Sequence, residues 1–173
     1  MKNGIKSNNG YTLVELIIVI AIIAIMSGAG IFTVSIIRTS QATASMQKFD
    51  SELSALEMRT KTQKRGEAIK IVQNEDNYDI FYGTCIDGKA ENFTANSTTP
   101  DKVLERVTIY YAEDYDADSV TTPVSEQVII IRKSDSQVLA GYGEYRFCKY
   151  NSSNTVGRVN LNQYTGGHTY GKN

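Results

Sequence analysis

Several residue types are scarce in this 173-residue sequence. It has no tryptophan, two prolines, two cysteines and one histidine, and its formal net charge is only -1. So small a net charge gives no sign of a polyanion-binding surface, and nucleic acid is therefore not an expected partner. Eleven tyrosines and five phenylalanines, combined with so little proline, favour a strand-rich soluble portion over a disordered tail.

The signatures of several enzyme classes are also missing. The sequence contains no Gly-x-Ser-x-Gly, no His-Glu-x-x-His, no phosphate loop and no dinucleotide-binding fingerprint. The single histidine, His168, has no cysteine, aspartate or glutamate near it in sequence. We therefore expect His168 at the surface rather than as a ligand or general base, and we expect neither enzymatic activity nor a cofactor.

One long stretch of the sequence is strongly apolar. Residues 16–37 carry no formal charge, and as a helix rising about 1.5 Å per residue they would cross a hydrocarbon core about 30 Å thick. Glu15 lies at the edge of this stretch, where an unpaired carboxylate is costly if it enters lipid. The pattern predicts a membrane-spanning helix over residues 11–37 and a cationic partner for Glu15.

A short polar segment precedes the apolar stretch. Residues 1–10 contain Lys2 and Lys6 and no acidic residue, a bias that holds the N-terminus in the cytoplasm and places the C-terminal part outside. In an ordinary secretory signal the small residue at the cleavage site follows the apolar stretch, whereas here Gly10 lies before it. Cleavage after Gly10 would leave the helix on the mature protein.

Residues 10–15, Gly-Tyr-Thr-Leu-Val-Glu, lie between the basic leader and the apolar helix. In this arrangement they resemble the class III signal of type IV pilins and of the pseudopilins of type II secretion systems. The resemblance implies that prepilin peptidase cleaves between Gly10 and Tyr11 and that the same enzyme N-methylates Tyr11. It also implies that the Glu15 carboxylate pairs with the N-terminal amine of a neighbouring subunit during assembly.

The same resemblance implies a set of partners and a location. The partners are other copies of the chain and other pilins in a filament, prepilin peptidase, an assembly ATPase with its platform protein, and the membrane before assembly. The expected location is the cell membrane for a single-pass precursor and then an extracellular pilus filament.

Two functions share this signal and stay open. The first is a structural pilus subunit for adhesion, motility or contact between cells. The alternative is a pseudopilin of a type II secretion or competence (DNA-uptake) system. A membrane-anchored receptor or enzyme is disfavoured, because an ordinary anchor needs neither Glu15 nor cleavage on the cytoplasmic side.

After residue 37 the helix is predicted to continue over residues 38–65 with an amphipathic pattern. Apolar residues spaced by three and four form one stripe: Ala42, Met46, Phe49, Leu53 and Leu56. The other face carries Gln47, Lys48, Asp50, Glu52 and Arg59. We interpret the stripe as the core-facing side of the helix, with a free coiled-coil seam as the alternative. Cations at Lys61, Lys64 and Arg65, followed by Gly66, predict the helix end.

Residues 66–173 predict a globular, β-rich extracellular head. Strand-like runs at residues 68–72 and 78–82 flank a polar turn and predict a hairpin, and further runs lie at residues 107–111, 128–131, 145–150 and 158–161. An antiparallel sheet packed on the amphipathic half of the helix would bury both apolar faces. The expected class is therefore α+β, with the pilin fold implied by the resemblance. Residues 90–100, rich in Thr, Asn and Ser, predict an exposed loop.

The two cysteines, Cys85 and Cys148, both lie in the part expected outside the cell. A disulfide between them would constrain the unfolded chain and contribute about 4 kcal/mol for a loop of this length. Two separate thiols are the alternative.

Asp114, Asp116 and Asp118 are spaced like the first ligands of a calcium-binding EF-hand loop. However, Ser119 stands where the tight turn needs glycine, and the twelfth position is Ser125. The preferred interpretation is a solvated acidic turn, with calcium as a weak alternative.

Overall fold

The computed structural model describes residues 11–63 and 67–172, without the side chains of residues 28–32. The leader residues 1–10, and residues 64–66 at the predicted helix end, lie outside this part. The chain divides into two compact units, residues 1–37 and residues 38–173.

A single helix, α1 (Leu13–Thr62), begins in the first unit and ends in the second. In the first unit the large aliphatic side chains between Leu13 and Ile25 are 50–75% exposed. Among the described residues, no helix is both long and apolar enough to cross a membrane. The predicted span includes residues 28–32, whose side chains are not described, and it stays a prediction.

The second part of α1 presents a buried stripe to the head. The five stripe residues, Ala42, Met46, Phe49, Leu53 and Leu56, are each 0% exposed. The Phe49 ring is central, with its centroid 5.0 Å from that of Tyr145 and 5.4 Å from that of Phe147. These contacts confirm that the stripe is the core-facing side of the helix.

One residue expected on the polar face of α1 is buried instead. Glu52 is 8% exposed, and its carboxylate accepts a hydrogen bond from the Tyr82 hydroxyl. The guanidinium of Arg59 lies 3.9 Å from the centroid of the same Tyr82 ring. The polar-face prediction for Glu52 is wrong because Tyr82 supplies the donor that a buried carboxylate requires.

The described part of the head contains ten strands in two antiparallel sheets, where one sheet was expected. The strands are β1 (Glu67–Asn74), β2 (Asn77–Cys85), β3 (Phe93–Ala95), β4 (Lys102–Leu104), β5 (Val107–Ala112), β6 (Glu126–Ile131), β7 (Val138–Ala140), β8 (Gly143–Lys149), β9 (Thr155–Leu161) and β10 (His168–Lys172). The first sheet has the order β3-β2-β1-β6-β7, with β4 also pairing β2, and the second has the order β10-β9-β8-β5.

Both sheets contribute to one core against α1. Ile69, Ile71 and Ile80 come from the first sheet, and Phe147 and Val159 come from the second, all of them essentially buried. The sheets are also joined through backbone, because Val138 N–H donates to the Gln163 carbonyl at 2.8 Å. The α+β expectation is confirmed, as a helix packed on two sheets.

The six strand-like runs of the sequence all lie in strands or extend slightly past their ends. The predicted hairpin is confirmed, with β1 and β2 paired up to Asn74 opposite Asn77. Residues 90–100 are not a simple loop, because they contain a 3-10 turn (Ala90–Asn92) and β3. Gly83 makes this pairing possible, since a Cβ there would lie 2.2 Å from the Thr94 carbonyl oxygen and 2.6 Å from the Phe93 ring.

Candidate functional site

The start of α1 is fixed by a reciprocal pair of side chains. The backbone N–H of Thr12 donates to Glu15 Oε2 at 2.8 Å, and the Thr12 hydroxyl donates to the same oxygen at 2.9 Å. In return, the backbone N–H of Glu15 donates to Thr12 Oγ1 at 3.2 Å. This is a capping box, in which threonine before the first helical residue and glutamate three positions later satisfy each other's orphan donors.

The capping box determines where the helix begins and how Glu15 is held. The first helical bond runs from Leu16 N–H to the Thr12 carbonyl at 3.2 Å. A carboxylate at this end of a helix is also favoured by the helix dipole. Glu15 therefore has a defined position at the N-terminal end of the apolar helix.

Glu15 is the only formally charged residue between positions 11 and 37. The polar hydroxyl of Ser27 donates to the Ile23 carbonyl at 2.7 Å, so it is satisfied by the helix itself. No cationic side chain of this stretch can neutralise Glu15. A cation that pairs with it must be a chain terminus or a side chain from outside residues 11–37.

Thr12 was not among the site residues predicted from the sequence. The signal was nonetheless in the sequence, because threonine followed three positions later by glutamate and then an apolar run is the pattern of a capping box. Tyr11, just before it, is 89% exposed. Gly10, the predicted cleavage residue, lies outside the described residues.

Residues 5–31 match the family model described as the prokaryotic N-terminal methylation motif. This segment is the class III signal of the type IV pilin and pseudopilin family. The signal points to a structural protein rather than an enzyme. No curated protein and no solved structure matches the chain significantly.

In this pilin-like chain the two cysteines lie in different sheets. Cys85 ends β2 and is half-buried, whereas Cys148 lies in β8 and is buried, and both are free thiols. Burial raises the pKa of both thiols, and the Cys148 thiol lies 3.6 Å from the Ser153 carbonyl oxygen. In the structure Cys85 and Cys148 are therefore two separate thiols, which was the alternative expectation, and they do not form a disulfide.

The acidic turn of the pilin-like head is tied to the second sheet. Asp118 accepts hydrogen bonds from Arg158 at 2.9 and 2.7 Å and from Arg146 at 3.2 Å. The bonds from Arg158 lower the pKa of the Asp118 carboxyl. Arg158 also donates to Glu144 at 2.5 Å. The turn is solvated as expected, because Asp114, Asp116 and Asp118 are all exposed, and Asp118 is in addition held by two guanidinium groups.

The calcium candidates are not brought together around a common point. Asp114 Oδ1 accepts the backbone N–H of Asp116 at 3.3 Å, a contact within the turn, while Asp118 faces the arginines. Among the described residues no group of three or more acidic, histidine or cysteine side chains is arranged to hold a metal ion.

His168 is not the surface residue that was expected. Its side chain is 12% exposed, with Nε2 3.3 Å from Asp50 Oδ1 and 3.2 Å from Ser54 Oγ. It begins β10, so these contacts join the last strand to α1. No local pattern predicts these contacts, because Asp50 and Ser54 are each more than a hundred positions from His168 in the chain.

Proposed function

We propose that this chain is a structural subunit of a type IV pilus, cleaved after Gly10 and polymerised through its N-terminal helix into a surface filament for adhesion, motility or contact between cells. The observation that carries the proposal is the Thr12–Glu15 capping box. It holds one carboxylate at the start of an exposed apolar helix, directly after the predicted cleavage position.

The apolar surface of the helix supports the proposal that the helix moves from the lipid bilayer into contact with the helices of other subunits. Burying an aliphatic side chain fully is worth about 1.5–3 kcal/mol, so a helix with this surface is not expected to stay in water. Before assembly it spans the membrane as the single anchor of the precursor. Helices packed in a filament then replace lipid contacts with close side-chain packing, which is what drives association of apolar helices.

The Glu15 carboxylate sets the register in which neighbouring helices pack against one another. Both donors of Thr12 bond Oε2, and Oε1 receives neither of them. A carboxylate has acceptor sites on both oxygens, so the amine of a neighbouring, cleaved subunit can bond Oε1 while the cap persists. Two charges then enter the apolar core as a pair, which costs far less than one alone.

Processing and assembly require the partners that the signal implies. Prepilin peptidase cleaves between Gly10 and Tyr11 and N-methylates Tyr11, which creates the amine. An assembly ATPase with its platform protein then moves the subunit from the membrane into the filament. Replacing Gly10 by leucine should leave a longer, unprocessed chain on a gel.

The decisive experiment separates the charge of Glu15 from its cap. Glu15→Gln keeps a side chain that fits a capping box but removes the charge, so we expect a processed, membrane-held chain that is absent from sheared surface filaments. Thr12→Ala is the matched control, because it removes the cap and leaves the charge, and it should still yield filaments. Mass spectrometry of the N-terminus and electron microscopy of sheared material provide the measurements.

Two outcomes would contradict the proposal. Normal filaments from Glu15→Gln would refute the charge pairing. A wild-type chain that is cleaved and membrane-bound but never recovered in sheared filaments, in cells that need it for protein export or DNA uptake, would replace the pilus by a pseudopilus.

A further inference from the structure

The first sheet of the head has one face packed on α1 and one facing away from it. Along β1, Ile69 and Ile71 are buried in the core, so Lys70 and Val72 lie on the outer face. Their cross-strand partners share that face: Phe81 is opposite Lys70 and Glu126 is opposite Val72. The outer face thus combines apolar and charged side chains.

Part of this outer face is covered by the chain itself. Phe93 packs on a small buried cluster of Ala68, Val128 and Ile130. Its ring lies directly over Gly83, where a Cβ would be 2.6 Å from it. The covered part of the face ends at the Phe93 side chain. The Lys70 ammonium lies 6.0 Å from the centroid of the Phe93 ring.

The uncovered part is a groove. It has a volume of about 640 Å³ and is lined by the rings of Phe81 and Phe93, by Val72, by Lys70 with Glu126, and by the polar loop residues 96–98. An apolar floor with a few convergent polar groups is the usual character of a small-ligand site.

The charges in the groove compensate each other. Lys70 Nζ lies 2.7 Å from Glu126 Oε1, so neither a strongly anionic nor a strongly cationic ligand has an unpaired partner there. Phe81 and Phe93 give the groove apolar lining. Asn96 and Thr98 line one side and carry an amide and a hydroxyl that can form hydrogen bonds, whereas the hydroxyl of Ser97, between them, is bonded to Thr99. These groups suit a neutral ligand with apolar faces and many hydroxyls.

We propose that this groove binds a neutral oligosaccharide, with one sugar ring stacked on the Phe81 and Phe93 side chains and its hydroxyls bonded to Asn96, to Thr98 and to the Lys70–Glu126 pair. The site does not depend on filament assembly, and it can be tested on the purified chain.

Two other occupants fit the groove less well. A peptide that adds a strand needs a free sheet edge, whereas the edge of β2 beside the groove is already paired with β3 and β4. A second copy of the chain needs roughly 800 Å² of contact on each partner for a stable interface. A groove of this volume holds a few sugar rings and provides much less contact than that.

The test uses the full chain in micelles of dodecylphosphocholine, a detergent that contains no sugar. Cellotriose, maltotriose and chitotriose are the neutral probes and sialyllactose is the charged one, with binding followed by saturation-transfer NMR. We expect at least one neutral probe to bind, and to bind more tightly than sialyllactose.

Substitutions then locate the binding. Phe81→Ala should weaken it by about tenfold or more, because aromatic side chains that a ligand covers often carry much of the binding energy. Asn96→Ala changes an exposed side chain on the side of the groove and should weaken binding without affecting the fold. Asn92→Ala is the matched control, because Asn92 is also exposed but lies in the 3-10 turn and does not line the groove.

Four results would overturn the proposal. They are the failure of all three neutral probes to bind, tighter binding of sialyllactose, and neutral-probe binding that is unchanged in both Phe81→Ala and Asn96→Ala. The fourth is a change in oligomeric state in Phe81→Ala without any change in sugar binding, which would make this face a contact between copies.

Discussion

Glu15 and Glu52 are both acidic residues of α1, but their carboxylates have different surroundings. Glu15 lies at the exposed start of the helix and bonds its own neighbour Thr12. Glu52 is buried and bonds Tyr82 of the first sheet. The first carboxylate keeps acceptor capacity for a partner from outside, whereas the second fastens the helix to the sheet. Position in the fold, and not residue type, separates their roles.

Tyr82→Phe tests the role of Glu52. The substitution keeps the ring under Arg59 but leaves a buried carboxylate without its donor, and an unsatisfied buried group costs about 1–3 kcal/mol, or more when it is charged. We expect the free energy of unfolding of the head to fall by about 1–3 kcal/mol or more. Urea titration of the micelle-bound chain measures this change. Tyrosine fluorescence reports on the head, because every tyrosine except Tyr11 lies in residues 38–173.

Tyr150→Phe is the control for this substitution. The Tyr150 hydroxyl also donates to a carboxylate, that of Asp76, but both residues are only partly buried. Water can replace the lost hydroxyl there, so the loss should be clearly smaller. Equal losses in the two variants would mean that burial of Glu52 does not decide the effect.

At the residue scale the motif at residues 5–31 was predictable from the sequence, and the roles of Gly10, Tyr11 and Glu15 stay predictions. These three lie within six consecutive residues beside the apolar run, so a local pattern singles them out. The partners of His168 and Asp118 were not predictable, because Asp50, Arg146 and Arg158 are brought to them only by the packing of a helix and strands that are distant in the sequence.

At the scale of the elements, the helix and the longer strands were predicted from the sequence, whereas the shorter strands were not. The helix and the six longer strands β1, β2, β5, β6, β8 and β9 have enough residues to show a period. Strands β3, β4 and β7 have three residues each, too few for any periodicity. These three strands exist because an edge of β2 or β6 pairs with them. Strand β10, with five residues, was not predicted either, and it pairs with β9. The division into two sheets likewise depends on pairing between strands that are far apart in sequence.

Gly83 determines whether β3 can pair with β2. We expect Gly83→Ala to reduce the free energy of unfolding by about 1–3 kcal/mol, the usual cost of forcing extra volume into a packed site. A Cβ would be 2.2 Å from backbone at Thr94, and backbone cannot move aside as a side chain can. Amide hydrogen exchange should show β3 losing protection before β1.

Gly171→Ala provides the matched glycine control. Gly171 also lies in a strand, β10, but a Cβ there would meet nothing within 4 Å. Its substitution should be neutral or slightly stabilising, because alanine restricts the unfolded chain. If both glycine variants lost the same stability, the close approach of Thr94 would not be the cause.

At the scale of the whole molecule, Tyr78, Tyr82 and Tyr145 of the head lie in the core between the helix and the two sheets, and Tyr111 packs against that core. Burial raises the pKa of Tyr78 to about 12, and burial also raises the pKa values of Tyr82, Tyr111 and Tyr145. Each of these phenols is therefore held neutral in the folded head at a pH where the unfolded chain, with a tyrosine pKa near 10, already ionises.

The sign of the pH dependence follows from this difference. Below about pH 10 both states keep the phenol protons, and the stabilisation from neutral buried tyrosines is fully present. Above it the unfolded state binds fewer protons than the folded state. The free energy of unfolding therefore falls as pH rises from about 10 towards the folded pKa of about 12 for Tyr78. The slope is at most about 1.4 kcal/mol per pH unit for each such tyrosine.

Ultraviolet absorbance can follow this process cleanly because the chain has no tryptophan. We expect a pH titration of the folded chain to show one group of tyrosines ionising near pH 10 and a second group ionising only as the head unfolds. Tyr78→Phe should make unfolding less sensitive to pH in this range, since phenylalanine has no proton to lose. If all the tyrosines ionised together near pH 10 while circular dichroism still reported a folded head, the buried phenols would be accessible to water and this account of the core would be wrong.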